Sequence, residues 1–145
     1  MIQTAIMCLA LNIYFEARNQ PIHGQFAVAE VTLNRVASPS YPNTVCEVVL
    51  QSNSKSCAFS WWCDGKSDMP QDERAFRISK IIAKLMIEEG EHIWAVGDNA
   101  THYHNQSISP YWARHFQQIN RIGEHVFYSD KPIPKPMPRP DNLLK

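Results

Sequence analysis

The stretch from Thr4 to Arg18, "TAIMCLALNIYFEAR", constrains the fold more than any other part of the chain. It predicts a helix, and its apolar residues surround that helix instead of forming a stripe. A helix that is apolar over most of its surface has to be covered by other elements. The chain has 145 residues, which suits one domain with a sizeable core. The first helix is therefore expected at the centre, with the rest of the chain packed around it.

A carboxylate at the end of that helix needs an explanation. Residues three or four apart on a helix share a face, so Asn12, Ile13, Asn19 and Gln20 are the neighbours of Glu16. Arg18 lies two positions away and points towards Tyr14, so it need not neutralise Glu16. A carboxyl ringed by apolar and neutral polar groups has its pKa raised. It can then keep a proton near neutral pH and donate it, as the general acid of glycoside cleavage must. The competing reading is an ordinary exposed glutamate near a helix end.

The remaining elements follow from periodicity and punctuation. "NQPIHG" breaks the first helix at Pro21 and Gly24, and "QFAVAEVTLNRVA" predicts a second. Thr44 and Glu47 form a capping box for a short third helix running to about Gln51. "NSKSCAFSWWCDGKSD" has no helical period; it predicts a loop with a short strand at Ala58 to Trp62 and a turn at Asp64-Gly65. "PQDERAFRISKIIAKLMIEEG" is the clearest helix. Pro70 is placed in its first turn, Gly90 at its end, and Phe76, Ile78, Ile81, Ile82, Leu85 and Met86 on its apolar face. A short helix is expected after Pro110 and a strand in "GEHVFYS". The predicted class is α+β, mainly helical, with a short β element in one domain over residues 1–130. Residues 131–145 carry "KPIPKPMPRP" and read as an extended tail.

Charge and cysteines narrow the partners. Lys+Arg and Asp+Glu both number 14, so nothing marks the chain as a nucleic-acid binder. Ala5 to Leu11 is too short to span a bilayer, so no stable membrane insertion is expected. No basic residue precedes that run and no small-residue cleavage site follows it, so it does not read as a signal peptide. Cys8, Cys46, Cys57 and Cys63 allow three pairings. One bridge among the last three is expected, with Cys8 as a small buried hydrophobe. Oxidation would require a destination outside the cytoplasm.

Several groups are candidates for the chemistry. Glu30, Glu47, Asp64, Asp68 and Asp98 could supply a second carboxylate. Glu30 lies mid-helix, the capping box accounts for Glu47 and the turn for Asp64, and Asp68 sits where a helix cap would. In "FSWW", Phe59, Ser60 and Trp61 could line a sugar cleft, with Ser60 bonding to sugar or to Glu16, or they could plug the core. In "THYH", extended backbone puts His102 and His104 on one face and Tyr103 on the other. With His115 or His125, those histidines would make a zinc amidase site, although the spacing matches no strong zinc signature. A cysteine nucleophile with His102 would need a thiolate-stabilising setting such as a helix N-terminus beside a histidine, whereas Cys8 is mid-helix and Cys57 and Cys63 lie in a loop. His125 reads as a hydrogen-bonded structural histidine, and Trp112 as core or cleft wall.

Four blocks, "ALNIYFEARNQPIHGQFAVAEVTLNRVASPSYPNTVCEVV", "CAFSWWCDG", "THYHNQSISPYWARHF" and "IGEHVFYS", together resemble the SleB/CwlJ-type cell-wall hydrolases. These are the catalytic domains of spore-cortex-lytic enzymes and their bacterial and phage relatives. The resemblance spans roughly residues 5 to 130, and only loosely from Lys66 to Glu91. It implies a lysozyme-like domain acting on peptidoglycan glycan strands, with no cofactor and no metal. The glutamate of the "YFEAR" motif, here Glu16, is implied to be the catalytic acid of a lytic transglycosylase. A muramidase-type hydrolase, an amidase and a non-cleaving glycan-binding module are the alternatives. Tyr103 and its neighbours are implied to form the cleft wall opposite Glu16. The substrate-binding set is Phe59, Ser60, Trp61, His102, Tyr103 and Trp112. A monomer acting at the cell wall is expected. The missing signal peptide and wall-binding domain point to a phage endolysin released with holin help, or to another export route.

Overall fold

A computed structural model gives the structure of the protein, and it describes residues 4–131. Four helices and a small sheet make up the fold: α1 (Ala5–Ala17), α2 (Ile22–Ala37), α3 (Val45–Val49), α4 (Glu73–Glu89), β1 (His102–Asn105), β2 (Gln117–Ile122) and β3 (His125–Ser129). The expected α+β class and dominant helix content are present. The proline-rich segment expected as a tail lies outside the described residues, apart from Lys131.

α1 is central, as its composition requires. It packs against α2, α3 and α4, and Cys8, Leu9, Ala10, Asn12, Ile13, Tyr14 and Ala17 are buried. Thr4 caps its start by accepting a hydrogen bond from the Met7 amide at 3.1 Å. Two core clusters meet behind α1 and α2. One joins α1, α3 and α4 with Phe59 and Trp61; the other joins α2 to Val96, Ile122 and Phe127. Tyr103 packs against both.

The second helix begins earlier than the sequence predicts. Pro21 is its N-cap and Gly24 lies inside the first turn. Ile122 crosses that turn at Gly24, within ordinary contact distance of where a Cβ would stand. α3 starts at the expected capping box, with the Glu47 amide donating to Thr44 Oγ1 at 3.2 Å. The predicted strand at Ala58 to Trp62 is instead a 3₁₀ turn over Ser60–Trp62, because Trp61 turns inward to bond α1. In α4 the cap is Asp72, whose carboxylate accepts from the Ala75 amide, so Pro70 and Asp68 precede the helix. Its buried face is Ser79, Ile82, Ala83 and Met86, whereas Ile81 and Leu85 are exposed. The segment after Pro110 is a 3₁₀ turn, Tyr111–Arg114.

Cys8 is not a free hydrophobe. It is bridged to Cys46, tying α1 to α3, and Cys57 is bridged to Cys63. The helices bring Cα atoms of Cys8 and Cys46 to 5.3 Å, a normal bridging distance that linear spacing did not reveal.

The sheet order is β1-β3-β2, antiparallel throughout. β2 was not foreseen. It is joined to β3 through Gly123, whose φ is 59°, and a Cβ there would strike Gln20 Oε1 at 2.5 Å. That oxygen accepts from the Glu124 amide at 2.9 Å, so the turn is docked on the α1–α2 junction.

α2 also fixes the approach to β1. Glu30 is buried and accepts from the amides of Ala95, Val96 and Gly97 at 3.3, 2.6 and 2.9 Å. Asn34 donates to the carbonyls of Gly97 and Ala100, and His23 donates to that of Ala95. Buried amide N–H groups need an acceptor, and this carboxylate supplies it. Glu30→Gln replaces one acceptor oxygen by a donor facing those amides. It is expected to cost on the order of 3 kcal/mol in urea unfolding, whereas Glu88→Gln on exposed α4 should cost almost nothing.

Candidate active site

The last turn of α1 carries Glu16 to the edge of the buried core, where its side chain is part-buried. Arg18 turns away, as its helical position requires. Its guanidinium lies 4.6 Å from the centre of the Tyr14 ring and donates to the Tyr14 carbonyl at 3.2 Å. Tyr14 is held in turn, its hydroxyl accepting from the amides of Gln71 and Asp72. The bonded partner of Glu16 comes from the sheet. Tyr103, on β1, donates its hydroxyl to Glu16 Oε1 at 2.9 Å.

The electrostatics follow from this placement. Burial pushes the Glu16 carboxyl above its ordinary value of 4.5. The Tyr103 hydrogen bond and the more distant Arg35 charge act the other way and do not reverse the shift. Burial, followed by the Glu16 charge, holds the Tyr103 phenol well above its usual 10.0, so Tyr103 stays a donor. No second carboxylate is among the groups acting on Glu16. Glu30 is bound to backbone amides, Glu47 caps α3, and Asp64 closes its turn by accepting from the Lys66 amide. Asp68 lies in an apolar pocket with Met7, Trp62 and Met69, and Asp98 is exposed.

The other candidate residues divide. Trp61 is buried, stacks on Phe15 with ring centres 4.9 Å apart, and donates its Nε1–H to Asn12 Oδ1 at 2.9 Å. Phe59 is buried as well, its ring 6.5 Å from that of Tyr103. Both serve as core packing. Ser60 is exposed, and no hydrogen bond joins it to Glu16 among the described residues. His102 and Trp112 are half-buried and in ring contact at 5.0 Å. They line a cavity together with Arg35, and Glu16 is not part of its wall. Burial, with Arg35 nearby, lowers the His102 pKa to about 4, so its ring is neutral above that pH.

The amidase alternatives lose their parts. His104 donates from Nδ1 to the Asn105 carbonyl at 2.8 Å, and its Nε2 is 3.0 Å from the Tyr128 hydroxyl. Both nitrogens are engaged, and no group of three His, Cys, Asp or Glu is placed to hold a metal among the described residues. All four cysteines are in disulfides. His125 is buried with Nδ1 unpartnered, packed by its ring between Tyr103 and Phe127. Its fixed role is packing, not the hydrogen bonding expected.

Three contributors escaped sequence reasoning. Asn12 is fully buried in α1, accepts from Trp61 and donates to Thr32 Oγ1 at 3.3 Å. A lone amide inside an apolar run was the available signal. Arg35 is buried near the end of α2. Tyr41 bonds Asp130 across the chain at 2.8 Å, a contact with no local signature.

Comparison with known proteins places this geometry. A model of the Cell Wall Hydrolase family matches residues 19–128. The chain belongs to this family. The matched span starts just after Glu16, so that residue's part in the site rests on its own surroundings. The spore cortex-lytic enzyme of Bacillus subtilis (strain 168) is 35% identical over 125 residues, covering 84% of this chain and 36% of that protein. Its counterpart in Halalkalibacterium halodurans is 37% identical over 125 residues, covering 84% of this chain and 34% of that protein. The chain thus spans about a third of these relatives' length. Among solved structures, the catalytic domain of the germination-specific lytic transglycosylase SleB from Bacillus anthracis superposes with a TM-score of 0.70 at 33% identity. It covers 89% of this chain and 97% of that one. The Bacillus cereus SleB catalytic domain gives 0.62 at 30% identity, covering 89% and 93%. The fold is the lysozyme-like one of this family.

The raised pKa of Glu16 has a measurable sign. The folded chain holds this proton more tightly than the unfolded chain, whose carboxyl titrates at the ordinary 4.5. The associated stabilisation is complete below that pH and is lost as pH rises through the folded pKa. Glu16→Gln has no such proton to lose. Urea unfolding should find Glu16→Gln more stable than wild type at neutral pH, with the gap closing in acid. A gap that is independent of pH would contradict the raised pKa.

Proposed function

We propose that this chain cuts the glycan strands of peptidoglycan between N-acetylmuramic acid and N-acetylglucosamine, as a lytic transglycosylase with Glu16 as both acid and base. One observation carries the reading: Glu16 is a carboxyl with a raised pKa, bonded to a neutral phenol, with no second carboxylate acting on it. The similarity to the SleB catalytic domains supports it.

The reaction needs only that one group. Protonated Glu16 gives its proton to the glycosidic oxygen, and the bond from that oxygen to muramic C1 breaks. The carboxylate left behind accepts the proton of the muramic 6-hydroxyl, whose oxygen bonds to C1. The product is a 1,6-anhydro end, and Glu16 is protonated again. An internal hydroxyl thus replaces the water or enzyme nucleophile for which glycosidases ordinarily keep a second carboxylate. Tyr103 holds the carboxyl in place through both transfers. Ser60, His102 and Trp112 are proposed as walls for the sugar chain, with Phe59 and Trp61 supporting them from the core.

The place of action is proposed as the cell wall. Two disulfides fit an oxidising compartment. No helix among the described residues is long and apolar enough to cross a membrane.

Digestion of purified peptidoglycan and mass analysis of the fragments test the proposal. Anhydro muramic ends, lighter than reducing ends by a water, are expected. Reducing muramic ends would mean hydrolysis, and free peptide stems would mean an amidase. Glu16→Gln should slow cleavage by at least about a hundredfold while the protein still sediments with insoluble peptidoglycan.

A further inference from the structure

Arg35 is 7% exposed, yet it has no ion partner. Its Nε–H donates to the Thr101 carbonyl at 2.7 Å. The rings of Tyr41 and Phe59 flank the guanidinium at 5.2 and 5.3 Å. Among the described residues no carboxylate lies within 4.0 Å of it. Asp130, the nearby acid, accepts from Tyr41 instead. Burying a guanidinium without an anion is costly, and such a cost persists where a ligand supplies the missing charge.

Arg35 lines a cavity of about 320 Å³. Tyr41, Gln51, Ser56, His102 and Trp112 complete its wall. The volume equals about ten water molecules, enough room for a short acidic side group. The wall offers neutral donors and aromatic faces, so Arg35 is its one fixed charge. The planar fork of a guanidinium matches a carboxylate by two parallel hydrogen bonds. Phe59 links the cavity to Glu16: it flanks Arg35, and its ring lies 6.5 Å from that of Tyr103, the Glu16 partner.

We infer that the Arg35 cavity binds a carboxylate carried by the muramoyl unit of the substrate, beside the bond that is cut. The identity of that carrier rests on the glycan-cleaving reading above; the carboxylate chemistry does not. Two sources on a muramoyl unit share this chemistry: the peptide stem, and the lactyl group where no stem is attached. A carboxylate held there fixes the muramoyl ring relative to Glu16 and makes the stem part of what the enzyme recognises.

NMR titration of the full chain separates the outcomes. The probes are muramyl dipeptide, which carries a stem carboxylate, its amide, and N-acetylmuramic acid, which carries the lactyl carboxylate. At least one of the two acids should shift the Arg35 and Gln51 resonances and bind about tenfold tighter than the amide. Whichever acid does so identifies the source, and either supports the inference. Gln51→Glu puts a competing negative charge at the mouth on an exposed residue, and should erase the preference without threatening the fold. Equal binding of both acids and the amide, or a preference that survives Gln51→Glu, would overturn the inference. Cleavage that persists in Glu16→Gln would overturn the glycan-cleaving mechanism while leaving the cavity's preference intact.

Discussion

The hydrogen bond from Tyr103 to Glu16 joins the central helix directly to the sheet. It is 2.9 Å long and spans 87 positions. On one side stands α1, covered by three other helices, which brings its only acid to the rim of the core. On the other stands β1, held in register by β3 and fed by a segment that α2 grips through Glu30, Asn34, Arg35 and His23. Tyr103 also packs against both core clusters, so its hydroxyl has little freedom to leave Glu16. The functional contact is thereby supported by most of the fold.

The charges around this contact are arranged with economy. Glu30 is occupied by backbone amides. Glu16 and Asp130 are each bonded to a neutral tyrosine hydroxyl. Burial raises the Glu16 pKa, and the Arg35 charge draws it back only in part. An acid meant to give and retake one proton benefits from that balance, since a fully paired carboxylate would hold no proton to give. The same Arg35 charge remains available to a ligand because no acid among the described residues lies within ion-pair distance of it.

Much of this was legible from residue order. The all-round apolar character of α1 fixed its central place, and helical spacing separated Arg18 from Glu16. Alternation in "THYH" put Tyr103 on the opposite face from His102 and His104, and the capping box of α3 was local chemistry. What escaped was decided by partners distant along the chain. β2 exposes most of its residues and shows little apolar alternation; only pairing with β3 and the docked Gly123 turn make it a strand. The stretch at Trp61 coils into a 3₁₀ turn because Asn12 takes its indole N–H. Cys8 looked like a core residue because its partner, Cys46, lies 38 positions away. The Arg35 cavity draws its wall from four separate segments, so no local pattern announces it.

The central claim is that folding makes Glu16 a better holder of its proton, with Tyr103 as its bonded partner. Carbon-13 NMR titration of the labelled Glu16 carboxyl measures this directly. The account predicts a midpoint above the ordinary 4.5, and a further rise in Tyr103→Phe, because the lost hydrogen bond favoured the ionised form. A midpoint at or below 4.5, or one that does not respond to Tyr103→Phe, would contradict it.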